Sequence, residues 1–176
     1  MADWKTTIEM YGPDVWRIVY RIVGNEADAS DCFQEVFLAV VQSARKKPVR
    51  NMPGFLRLLA VQRSIDYLRS RRKHRLTTAE SPNAKEVAGN LPSPDQPIQS
   101  DELVAAVRRA LAELPPAEAE AFTLRAFQDL SYRQIAQTMR VKESYAGVLI
   151  NRARAKLQEL LQHAAADYGW EFIHER

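Results

Sequence analysis

The stretch LTTAESPNAKEVAGNLPSPDQPIQS at 76–100 limits what this chain folds into more than any other feature. Pro82, Pro92, Pro94 and Pro97 stand there among Ser, Thr, Asn and Asp, without apolar periodicity. Proline removes backbone donors, and the polar residues around it give a core nothing to bury. The segment reads as a flexible linker. In a chain of 176 residues it leaves a piece of about 75 residues on either side, and each piece holds a core of only three or four helices. Hydrophobic residues at 46% and charged residues at 27% are ordinary for a folded chain and exclude wholesale disorder or a collagen-like repeat. The longest purely apolar run, Val36 to Val41, is far shorter than the roughly 20 residues of a membrane span, so no membrane insertion is expected. Met1-Ala2-Asp3-Trp4-Lys5 lacks the basic start and apolar stretch of a secretory signal. Cys32 is the single cysteine and has no internal disulfide partner. Both features fit a cytoplasmic location. No cysteine/histidine cluster suggests a metal, and no cofactor is expected.

Strand signals are nearly absent, whereas helical ones recur. Val15, Ile18, Val19 and Ile22 follow the i, i+3, i+4, i+7 spacing of a buried stripe, and Gly24-Asn25 stops that helix because both residues tolerate a left-handed cap. A second helix is expected over about 27–44, burying Cys32 or Phe33 together with Val36, Phe37 and Val40. Pro48 and Pro53 bracket an irregular connection. A third helix follows over about 54–72, with Phe55, Leu58, Leu59, Ile65 and Leu68 on one side. Beyond the linker, Leu103, Val104, Val107 and Leu111 mark a helix ending at Leu114, and Pro115-Pro116 opens another over about 117–127. Ser131-Tyr132-Arg133-Gln134 is a capping box leading a short helix to Met139. A tight turn at Arg140-Val141 then opens a long helix over about 142–162, which completes the outline of a helix-turn-helix.

The net charge of +3 conceals a strong segregation. Residues 1–35 carry seven acids and three bases, whereas residues 36–79 carry eleven bases and one acid, Asp66. A solvated face ordinarily mixes both signs. Near-exclusion of acids over so long a stretch points to a phosphate backbone, where each neutralised phosphate releases counterions.

Several blocks then resemble a known family. Asp28-Ala29-Ser30-Asp31-Cys32-Phe33-Gln34-Glu35-Val36-Phe37 resembles region 2.2 of bacterial sigma factors. Gly54-Phe55-Leu56-Arg57-Leu58-Leu59-Ala60, continuing through Ser64-Ile65-Asp66-Tyr67-Leu68-Arg69-Ser70-Arg71-Arg72, resembles regions 2.3 and 2.4. Ala110 to Pro116, Leu130 to Ala136 and Asn151 to Leu157 are similar to region 4 and its helix-turn-helix. The blocks stand in order at the right separations. With nothing but a short linker between the two halves, the chain resembles the extracytoplasmic-function group of the sigma-70 family.

The resemblance implies an all-α fold of two small helical domains. Region 2 would occupy 1–75, the linker 76–100, region 4 101–162 and an aromatic C-terminal tail 163–176. It implies core RNA polymerase, through its clamp coiled coil and flap, and promoter DNA as partners, with an anti-sigma factor or other targeting protein as a third. Asp28, Asp31, Gln34 and Glu35 lie on neighbouring turns and would present an acidic stripe to the polymerase. Lys46, Lys47, Arg50, Asn51, Met52, Arg57, Arg63, Arg69, Arg71 and Arg72 would hold the −10 region, with Asn51 and Met52 lining a pocket for an unstacked base. The chain departs from the family at Val61-Gln62-Arg63, where an Arg-Asn-Leu run is usual, so no −10 sequence preference carries over.

Region 4 departs further. The usual turn glycine is Arg140, the usual cap serine is Lys142, and the usual groove-reading Lys and Arg fall on Gly147 and Leu149. Helical geometry directs Ala146, Ile150, Ala153 and Leu157 inward, and Tyr145, Val148, Leu149 and Arg152 outward. An outer face of Tyr, Val and Leu is poor at reading base edges. Weakened −35 readout is therefore expected, with a protein contact in its place. The competing expectation is that Arg133, Lys142, Arg152, Arg154 and Lys156 still grip phosphates.

Two other function classes stand beside this one. One is a helix-turn-helix regulator acting without polymerase, which leaves the acidic stripe and the separate basic helix without a role. The other is an enzyme. His74, His163 and His174 are scattered, and no nucleophile–base spacing or phosphate-cradling glycine loop is present, so no catalytic residue is expected.

Overall fold

The computed structural model describes residues 4–78 and 98–168, with side chains over 4–77 and 103–162. These residues form seven α-helices, and among them there is no strand. The all-α expectation holds. Residues 79–97, most of the expected linker, lie outside the described residues, as does the aromatic tail beyond Tyr168.

The first three helices are α1 (Trp4–Val23), α2 (Glu26–Lys46) and α3 (Met52–Thr78). The stripe of α1 is buried as its spacing requires, at Val15, Ile18, Val19 and Ile22. The helix starts well before that stripe and runs across Pro13. At its end the two residues expected to share a left-handed cap divide the work. Gly24 takes the positive φ of 91°. Asn25 is extended and caps α2, its side chain accepting from the Asp28 amide at 2.9 Å. On α2, Cys32 is the residue that turns inward, with Ala29, Val36, Phe37 and Val40. Phe33 lies at the flank, edge-on to Trp16 at 5.9 Å and tilted against Phe37 at 4.9 Å. Burial, then the charges of Glu35, Asp28 and Asp31, push the Cys32 thiol up to about 12, so it stays neutral and packs as a small apolar group.

Helix α3 is the centre of the molecule. Leu56, Leu59, Ala60, Val61, Ile65 and Leu68 are buried, whereas Phe55 and Leu58, expected on the buried side, are only partly covered. The reason is that α3 has neighbours on more than one side. It packs against α1 and α2, and also against α4 (Ile98–Glu113) and α5 (Pro116–Gln128). The expected linker 76–100 is accordingly helical at both ends, through Thr78 and from Ile98.

The second half continues through α6 (Tyr132–Met139) and α7 (Glu143–Tyr168). Pro116 stands in the first turn of α5 as expected. The capping box is present, with Ser131 accepting from the Gln134 amide and the Gln134 side chain accepting from the Ser131 amide at 2.8 Å. Arg140 supplies the left-handed cap of α6, φ 56°, in the place of the family's usual glycine. One cluster of buried side chains runs from Val15 on α1 to Leu157 on α7, so the halves share a core.

Candidate nucleic-acid interface

The acidic stripe falls on the outer face of α2. Asp31, Gln34 and Glu35 are exposed there. Leu38, seven residues after Asp31, is 60% exposed and continues the same face. The sequence reading passed over this residue, although its spacing from Asp31 was the available signal. Asp28 differs from the other three. It accepts hydrogen bonds from Asn25 Nδ2 and the Tyr67 hydroxyl and lies 3.6 Å from Arg71 Nη1. Burial first, then the bond to Asp28, raise the Tyr67 phenol above its usual range and keep it a donor. Asp28 therefore fastens α3 to α2.

The connection after α2 leaves Lys46, Lys47 and Arg50 exposed. Asn51 and Met52 have structural work here. Asn51 Oδ1 accepts from the Gly54 amide at 3.0 Å and its carbonyl accepts from the Phe55 amide, so Asn51 caps α3. A Cβ on Gly54 would lie 2.7 Å from Asn51 Nδ2, so the glycine makes room for that cap. Met52 packs against the core. A cleft of about 230 Å³ opens beside them, between Tyr11, Asp14 and Ile18 on α1 and Pro53, Leu56 and Arg57 on α3.

Farther along α3 the arginines face other parts of the protein. Arg63 Nε is buried without a partner. Arg69 Nη2 donates to the Leu114 carbonyl at 2.7 Å, and Arg72 Nη2 meets Glu113 at 3.2 Å. Arg71 is held by Asp28 and Tyr67. Of the ten residues expected at the −10 region, Lys46, Lys47 and Arg50 are the exposed ones whose side chains are tied to no other part of the described structure.

In the helix-turn-helix, Ala146, Ile150, Ala153 and Leu157 are buried as expected. Leu149 is not on the outer face. It is 2% exposed, because 146, 149, 150 and 153 follow the i, i+3, i+4, i+7 pattern of one buried stripe. Tyr145 at 47% and Val148 at 40% are exposed, with Arg133, Lys142, Arg152 and Arg154. Asn151, which the sequence reading did not single out, is also exposed on α7. Beside these residues Gly147 leaves a gap, with nothing within 4 Å of where a Cβ would stand. Lys156 lies 3.7 Å from Glu118.

Comparison with known proteins agrees with this arrangement. The family model described as Sigma-70 region 2 matches residues 7–74, and that described as Sigma-70, region 4 matches residues 105–157. The chain belongs to the sigma-70 family, with the two-region build of its extracytoplasmic-function group. It is 30% identical to the ECF RNA polymerase sigma factor SigE of Mycolicibacterium smegmatis, over 92% of this chain and 62% of that protein. It is likewise 30% identical to the ECF RNA polymerase sigma factor BldN of Streptomyces coelicolor, over 87% of this chain and 58% of that one. The chain thus spans about three fifths of the length of these relatives. Its fold is like that of the sigma factor RpoE from Bartonella quintana, solved in complex with the anti-sigma factor NepR. The TM-score is 0.52 at 19% identity, over 92% of this chain and 98% of that one. A region 2 unit beside region 4 disfavours a regulator built on the helix-turn-helix alone. No described helix is long and apolar enough to cross a membrane.

Proposed function

We propose that the chain is a transcription initiation factor that joins core RNA polymerase and directs it to promoter DNA. Residues 1–75 serve as the polymerase- and −10-binding unit, 76–100 as the connection, 101–162 as the upstream DNA-binding unit and 163–176 as a tail. Asp31, Gln34, Glu35 and Leu38 dock on a basic surface of the polymerase, while Asp28 holds the docking helix in place. Lys46, Lys47, Arg50 and Arg57 follow the phosphates beside the melted strand, joined by Arg63, Arg69, Arg71 and Arg72. Catalysis belongs to the polymerase, and the work is done in the cytoplasm, where polymerase and promoter meet. An anti-sigma protein fits as a regulatory partner. The observation that carries this reading is the separation of charge within one three-helix unit, an exposed acidic face on α2 beside a connection and a helix almost free of acids.

The test is co-elution with core polymerase. Asp31→Lys with Glu35→Lys replaces attraction by repulsion at a desolvated contact, so assembly should weaken by tenfold or more, on the order of the effects seen for interfacial charges. Helix content should stay unchanged. Undiminished holoenzyme formation by this variant would refute the docking role.

For the second half, the gap at Gly147 and the exposure of Tyr145 and Val148 favour a grip on backbone phosphates over base reading. Lys142, Arg152, Arg154 and Arg133 supply that grip, and Tyr145 and Val148 are left for a protein contact. Leu149 takes no part. Binding of −35 duplexes by the intact holoenzyme tests this. A weak sequence preference and a steep salt dependence are expected, and strong discrimination at −35 would count against it.

A further inference from the structure

The outer face of α7 carries charges that nothing in the described chain answers. Glu143, Arg152 and Arg154 are exposed, and among the described residues none of the three has an ion-pair partner. Lys156, the next base along the helix, differs, because it lies 3.7 Å from Glu118. Between the unanswered charges stand Tyr145 and Val148, 47% and 40% exposed, and the gap at Gly147. An aromatic and a branched apolar side chain ringed by charge have the anatomy of a small contact surface.

The spacing of these residues identifies what fits them. Glu143 and Arg154 are eleven residues apart, about three turns, so they share one flank of the exposed face. Tyr145 and Arg152 are seven residues apart, about two turns, and share the other flank. Both pairs have the same midpoint, between positions 148 and 149, and Val148 stands beside it. A second α7 laid antiparallel across the first, with a two-fold axis at that midpoint, therefore sets Glu143 of each copy against Arg154 of the other. On the opposite flank it sets each Arg152 guanidinium against the other copy's Tyr145 ring, a favourable cation–π arrangement. Every contact is made twice, as two-fold symmetry requires. The two Val148 side chains meet at the centre. Gly147 has no side chain to hold the helices apart there, and interaxial distance is set by the side chains at the crossing.

We infer that the outer face of α7 is a self-association surface and that its occupant is a second copy of this chain. The inference rests on the protein contact proposed above for Tyr145 and Val148, and it names the partner. Arg152 and Arg154 are the residues given to phosphates, so the dimer is the DNA-free form, and dimerisation and duplex binding exclude one another. With one tyrosine and one valine from each copy the apolar area is small. Such a contact belongs to the transient class, with a dissociation constant on the order of tens of micromolar.

The test is sedimentation equilibrium of the full chain over about 1–200 µM, a range that brackets such a constant. The wild-type chain should pass from monomer to dimer. Glu143→Arg and Arg154→Glu, each alone, place like charges together twice and should weaken dimerisation by about tenfold. The two substitutions together restore opposite charges across the axis and should recover the wild-type constant to within about threefold. Damage to the helix by either substitution would not be repaired by adding the other, and circular dichroism confirms folding of all three variants. Val148→Cys sets two thiols across the axis, and mild oxidation should link the copies, whereas Glu159→Cys, exposed but distant from the axis, should stay unlinked. The native Cys32 is buried and does not compete. A monomer at every concentration overturns the inference. So does a dimer indifferent to the single reversals, or one that the double variant fails to recover. Discrimination at −35 by the holoenzyme is the separate measurement of the reading beneath. If it is strong, the protein contact fails and this inference with it; if it is weak while the chain stays monomeric, this inference alone fails.

Discussion

Arg140 holds a left-handed backbone at the end of α6, φ 56° and ψ 45°, with its side chain exposed. An L-residue with a Cβ is disfavoured in that conformation by roughly 1–2 kcal/mol, while glycine is not. Arg140→Gly should therefore stabilise the chain by about 0.5–1 kcal/mol once glycine's larger unfolded-state entropy is subtracted. The denaturation midpoint of the variant checks this, and a lower midpoint than wild type would contradict it. The strain was visible in the sequence as an arginine where the family places its turn glycine. The sequence reading gives Asn51 as pocket lining and contains no cap there; the cap of α3 that Asn51 makes to the Gly54 amide emerges from the structure.

At the scale of elements, α7 separates core from surface within two consecutive positions. Leu149 is sealed in the helix-turn-helix core, and Val148 is not. Leu149→Ala should cost about 2–5 kcal/mol, the range for truncating a buried leucine, whereas Val148→Ala should change stability by less than about 0.5 kcal/mol. If both variants melt alike, the assignment of faces is wrong. Helix ends and stripes were legible because they are local: Pro116, the Ser131–Gln134 box and the 15–22 stripe each carry their signal within one or two turns. Leu149 was misplaced because the family pattern suggested an outward Arg at that position, and the i+3 member of the stripe was overlooked. Phe55 and Leu58 were misplaced for another reason. A helix covered by neighbours on more than one side has no single apolar face, and one periodicity cannot describe α3.

The docking of the two halves was not legible at all, since it rests on arginines reaching backbone carbonyls, and every residue offers a carbonyl. Where acids enter that contact they give it a pH dependence. Glu120 on α5 has its carboxyl raised above the ordinary range, chiefly by burial, with Asp66 adding to the rise. The hydrogen bond from Gln62 and the charge of Arg69 act against it. Gln62, Asp66 and Arg69 all lie on α3, so these influences act only while the two halves are docked. Docking therefore takes up a proton between the ordinary carboxylate value and the raised one. The docked form is favoured below that window and weakened as pH rises through it. Scattering measured from the carboxylate range up to neutral pH should show the wild-type chain expanding as pH rises. Glu120→Gln keeps an acceptor for Gln62 and removes the proton, so its radius should stay nearly constant across the same range. Equal expansion in both chains would place the titrating group elsewhere and refute the role of Glu120.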